Sequence, residues 1–174
     1  MKRIMKPPDH PTRIDNELKA YLESGPSVVV GTRDLGLVPE ITRAWGPRVS
    51  EDRRSVSVCV PLATSAKTLD NLASNGRIAL ACALPTNVKS VQLKGTCIAT
   101  TEPDAADLAA VEEHRKLFSA RNERIGVPAH LVEVLWRREL ETSPVLVKIR
   151  FIPEQTFDQT PGPDAGSPLA GSPR

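Results

Sequence analysis

Residues 63–82, Ala-Thr-Ser-Ala-Lys-Thr-Leu-Asp-Asn-Leu-Ala-Ser-Asn-Gly-Arg-Ile-Ala-Leu-Ala-Cys, constrain this chain more than any other stretch. They read as the exit of one strand, a single short helix and the start of the next strand. Thr64 and Ser65 are good N-cap residues, and Leu69, Leu72 and Ala73 repeat with helical spacing. Asn75-Gly76 stops the helix, and the apolar run 78–84 follows at once. A helix start exposes unpaired backbone N–H groups and the positive end of the helix dipole. Hydroxyls from Thr64 and Ser65 and the ammonium of Lys67 would complete a phosphate-binding pattern there. An ordinary capped surface helix with a solvated lysine would look the same, so local chemistry leaves both readings open.

The flanking sequence is built mainly of strands. Residues 27–32 are rich in β-branched side chains and lead into the turn signal Asp34-Leu35-Gly36. Residues 38–45 read as the returning strand, ended by Gly46-Pro47. Val56, Val58 and Val60 alternate strictly, as in a strand with one covered face. A long strand is expected over 88–100 and a last one over 145–152. Helices are expected over 12–23, where Thr12 and Asp15 resemble a capping box, over about 102–122, and over 129–138. Six strands joined mostly by short turns, accompanied by helices, predict an α+β domain: a six-stranded, largely antiparallel barrel. Residues 1–11 form a proline-broken lead-in, 12–159 the barrel domain, and 160–174 a Pro/Gly-rich tail expected to be extended or disordered.

Composition narrows the function classes. A chain of 174 residues suits one domain, and a formal charge of +2 with interspersed signs demands neither a nucleic-acid nor a membrane partner. Aromatic residues are only 3%, too few for a stacking surface on bases. Cys59, Cys82 and Cys97 lie in apolar, strand-like surroundings, which suits a reducing cytoplasm better than a disulfide framework. His10, His114 and His130 form no metal-ligand spacing, and His114, among Glu112, Glu113, Arg115 and Lys116, reads as a solvated surface residue. There is no nucleophile elbow, P-loop or dinucleotide fingerprint. Any chemistry would therefore rest on a bound cofactor.

Ser65-Ala66-Lys67, a helix, and then Asn75-Gly76-Arg77-Ile78 before an apolar strand resemble the phosphate-binding core of the pyridoxamine 5'-phosphate oxidase-like family. Val91-Gln92-Leu93-Lys94-Gly95 is similar to that family's long strand ending in glycine, and Pro39 to Arg43 is similar to its Pro-x-x-x-Arg pattern. The resemblance, over residues 12–157, implies an FMN-binding split barrel. It implies that Lys67 contacts the FMN phosphate, with Thr64 and Ser65 beside it and Arg43 reaching the same group. It also implies that Ser90 and Gln92 lie near the isoalloxazine ring, although Gln92 as an outward strand residue is an equal alternative. Trp45 would cover the ring, pack between subunits or serve the core. Two barrels would pair as a homodimer around the cofactor, and hydride would pass through flavin N5 with no side-chain nucleophile. Ala66 stands where the family has arginine, and Trp136-Arg137-Arg138 falls in a predicted helix, so the true oxidase is not expected. The alternatives are a non-catalytic FMN, deazaflavin or haem binding or storage protein, and a ligand-free structural dimer. The substrate is not specified by the sequence.

Overall fold

The computed structural model describes residues 12–142 and 145–169. Seven strands form one antiparallel sheet: β1 (Ser27–Arg33), β2 (Pro39–Arg43), β3 (Trp45–Val49), β4 (Val56–Pro61), β5 (Arg77–Ala83), β6 (Ser90–Thr101) and β7 (Leu146–Asp158). Their order is β2-β1-β5-β6-β7-β4-β3. β2 and β3 are thus the two edges of the sheet, yet Ala44 alone joins them. A flat seven-stranded sheet would separate its edges by roughly 29 Å, whereas neighbouring Cα atoms lie about 3.8 Å apart. The sheet must curl until its edge strands approach at Ala44, and a half-barrel results.

The structure has seven strands where six were expected, and the difference lies in 38–49. Gly46-Pro47 was expected to end a strand but sits inside β3. Proline is tolerated on an edge strand or at a bulge, and β3 is an edge whose register against β4 shifts between Trp45 and Arg48. Gly46 adopts φ +59° there, and a Cβ at that position would lie 2.7 Å from the Val111 nitrogen. The β6–β7 pairing is likewise bulged at Gly95, where a Cβ would fall 2.1 Å from the Ile152 carbonyl oxygen.

Among the described residues four helices accompany the sheet: α1 (Asn16–Leu22), α2 (Ala66–Asn75), α3 (Ala105–Glu123) and α4 (Ala129–Thr142). Asp15, not Thr12, caps α1 by accepting the Leu18 N–H at 2.8 Å. Thr12 is instead buried, its hydroxyl donating to the Glu154 carbonyl. Asp104 and Asp107 form a reciprocal capping box at the start of α3.

The barrel interior is filled by alternate residues of the strands, among them Val28, Val30, Val58, Leu80, Leu93 and Phe151. A second core lies outside the barrel wall, where Trp45, Cys59 and Leu146 meet Val111, Phe118 and Val132 of α3 and α4. Residues 160–169 do not trail away. Their backbone returns to the free end of β7, with Asp158 N–H donating to the Ser167 carbonyl and Leu169 N–H to that of Thr156. Residues 170–174 and the lead-in 1–11 lie outside the described residues.

Candidate functional site

α2 follows a single 3-10 turn over Leu62–Thr64 and begins without a side-chain cap. Ser65 occupies the cap position, but its side chain is 1% exposed and its hydroxyl pairs with that of Thr42 at 3.1 Å. Thr68 and Asn71 are buried on the same helix face, and Asn71 Nδ2 donates to the Thr32 hydroxyl at 3.1 Å. α2 is therefore seated on β1 and β2 through a polar seam, with the Thr68 hydroxyl buried and unpaired within it. Ser65 is spent on that seam rather than presented outward. Thr64 and Lys67 remain exposed at the helix start, where first-turn N–H groups have no intrahelical acceptor.

Lys67 carries a partner of its own. Its ammonium lies 3.4 Å from Asp34 Oδ2, and the Lys67 side chain is 53% exposed. Asp34 belongs to the β1–β2 turn, which the sequence marks only as a turn signal. The Val38 N–H, which donates to Asp34 Oδ1 at 2.9 Å, and the Lys67 ammonium hold its carboxyl below the ordinary carboxylate range.

The remaining candidates lie on the outer face of the sheet. Arg43 pairs with Val29, Val29 with Ala81, and Ala81 with Gln92, so Arg43 and Gln92 end one cross-strand row. Three strand spacings separate them, roughly 14 Å. Between them lie Val29 and Ala81, and beside them the outward residues Gly31, Ala79 and Ala83 are small. An open groove of ≈ 600 Å³ runs over this face, lined by Gly31, Ile41, Ala79, Lys94 and Gln155. Arg43 also lies over the Trp45 ring, at 5.9 Å to its centroid. Ser90 is held by the returning tail: its N–H donates to the Thr160 hydroxyl at 3.1 Å, and its carbonyl accepts the Gln159 N–H at 2.8 Å. Its own hydroxyl donates to the Val88 carbonyl, away from the Gln92 row.

His114 is not a surface residue; it is 4% exposed. The Gly46 N–H donates to Nδ1 at 3.2 Å, so the ring proton sits on Nε2, which donates to the Pro26 carbonyl at 2.7 Å. Burial pushes its pKa down to about 4 from 6.5, against the smaller opposing effect of the Pro26 bond. With both nitrogens engaged, His114 cannot serve as a haem ligand without breaking the core. Trp45 takes the core role among those weighed: it is 1% exposed and meets Trp136 edge-on at 4.6 Å. Trp136 thus packs inward, half-buried against the second core. All three cysteines are buried and free, and burial raises each thiol, Cys97 to about 11. No metal-ligating cluster occurs among the described residues. Among the same residues, no helix is long and apolar enough to cross a membrane.

No family model and no curated protein matches the chain. Solved structures do. HupZ of Group A Streptococcus matches with a TM-score of 0.51 at 19% identity, over 88% of this chain and 99% of that one. A candidate pyridoxamine 5'-phosphate oxidase from Lactobacillus delbrueckii matches at 0.50 and 15%, over 88% and 99%. An FMN-binding protein from Syntrophomonas wolfei matches at 0.51 and 11%, over 80% and 82%. At these identities the likeness is one of architecture. The chain has the fold of the pyridoxamine 5'-phosphate oxidase-like proteins, as the motifs around Lys67 suggest.

Proposed function

We propose that this chain binds FMN, with the phosphate at the start of α2 and the ring toward Gln92, and that it works as a homodimer. The observation that carries the reading is the uncapped start of α2, with Thr64 and Lys67 exposed beside β2. An uncapped helix start with an adjacent ammonium is a donor set matched to a phosphate dianion. The Arg43–Gln92 row supports a ligand that is charged at one end and flat at the other. The small residues beside that row leave space for a ring or for a second barrel, and Ile41, 69% exposed, offers that barrel an apolar contact.

FMN, when bound, supplies hydride transfer through N5. The chain's own residues would bind and orient it: Lys67 and Arg43 by charge, Thr64 by its hydroxyl, Gln92 by its amide. Ser65 would contribute indirectly, by fixing α2 on Thr42. No general acid or base is required of the side chains near this row. A second reading, a structural dimer whose ligand site has decayed, is favoured by Ala66 in place of the family's arginine and by the carboxylate already on Lys67.

The test is an absorbance titration with FMN of the wild type and Lys67→Ala. Flavin bands should shift and sharpen on the wild type, with affinity falling about tenfold or more in the variant. A wild type that leaves the FMN spectrum unchanged would refute the reading. Where FMN binds, bleaching by NAD(P)H separates an enzyme from a binder.

A further inference from the structure

The flavin reading rests on Lys67, and Lys67 is already paired with a carboxylate that its surroundings hold in place. Asp34 Oδ1 accepts the Val38 N–H at 2.9 Å, and the Asp34 N–H donates to the Val38 carbonyl at 3.0 Å. Leu37, within that turn, adopts φ +67°. The turn is also tied to the far end of α2, where Asn75 Nδ2 donates to the Arg33 carbonyl at 2.7 Å. Lys67 differs: its stem has four rotatable bonds and reaches into solvent. The ammonium can swing to a ligand, and the carboxylate cannot follow.

We infer that Asp34 sets the phosphate affinity of the α2 site, acting as a built-in counter-anion that an incoming phosphate must displace from Lys67. This rests on the FMN reading and adds a determinant to it. A phosphate dianion at the start of α2 loses part of the attraction of Lys67 to Asp34 and meets a like charge close by. A neutral ligand lacking the phosphate meets neither effect. Asp34 thus lowers the preference for phosphorylated over unphosphorylated flavin, and more so at low ionic strength. The pair is partly exposed, so the effect is modest.

Asp34→Asn is the suitable variant, since its amide oxygen can still accept the Val38 N–H and keep the turn. FMN and riboflavin are each titrated against the wild type, Asp34→Asn, Lys67→Ala and the double variant, at two salt concentrations. Asp34→Asn should bind FMN about fivefold tighter than the wild type at low salt, with riboflavin unchanged. The gain should shrink in the Lys67→Ala background, where only the relief of the like charge remains. Equal gains for both flavins, or no gain for FMN while the wild type binds it, would overturn the role of Asp34 and leave the FMN reading standing. Failure of every protein to bind either flavin would overturn both.

Discussion

The barrel wall has two outer faces, and they are built on opposite principles. Over β3 and β4 the wall is thick. Trp45, Cys59 and Leu146 are covered by α3 and α4, and four rings, those of Trp45, His114, Phe118 and Trp136, pack within 4.6–6.2 Å centroid to centroid. Over β2, β1, β5 and β6 the wall is thin. Gly31 and three alanines lie half-exposed, with Ile41 at the rim and Lys67 at the nearby helix start. Covering one face supplies the stability that lets the other stay open. Arg43 on the open side lies over Trp45 of the covered side, so the two meet at the crossover through Ala44.

The sharpest way to break this comparison is at the crossover. Trp45→Ala should cost about 3–5 kcal/mol in urea denaturation, as the loss of a fully buried indole does. Gly46→Ala should also be severely destabilising, because the backbone needs a positive φ and a Cβ would strike Val111. A cost under about 1 kcal/mol for Trp45→Ala would mean that the covered face is not the stabilising one.

The next effect is one of pH. His114 has a folded pKa of about 4 against 6.5 ordinarily, so the unfolded chain takes up a proton that the folded one refuses. Its contribution is whole above pH 6.5 and is lost as pH falls from 6.5 through 4, for a total of about 3 kcal/mol. The denaturation midpoint should fall through that window in the wild type and more shallowly in His114→Gln. Parallel profiles would contradict the assignment.

Smaller still is Val88, a β-branched residue held at φ +53° in the exposed turn before β6. Val88→Gly should stabilise by about 0.5–1 kcal/mol through relief of that strain, read in the same denaturation assay. Ala81→Arg on the open face should change monomer stability by no more than about 0.5 kcal/mol. If the open face seats a second copy, sedimentation should nevertheless show the variant dissociated at concentrations where the wild type is paired.

Much of this was legible in the sequence, for physical reasons that differ from place to place. Val56, Val58 and Val60 announced β4 because alternation is enforced by one buried face, and all three are fully buried. Gly76 at φ +68° closes α2 where Asn75-Gly76 suggested it would. β3 was hidden because Gly46-Pro47 obeys the local rules for a break, and only the bulge at the sheet edge tolerates it. His114 was misread from its charged neighbours in sequence, which point elsewhere around the helix. It shares one buried stripe of α3 with Asp107, Val111 and Phe118, at helical spacing, and that periodicity was the available signal. Ser65 looked like a cap because a buried hydroxyl on Thr42 leaves no local trace. Asp34 on Lys67 pairs residues 33 apart, beyond the reach of any local pattern.

The most direct test of the division between faces is hydrogen exchange with and without saturating FMN. Protection should rise in residues 64–69, 77–83 and 90–94 and stay unchanged across α3. Protection concentrated in α3 and α4, or none anywhere at saturation, would contradict the assignment of the open face as the one that binds.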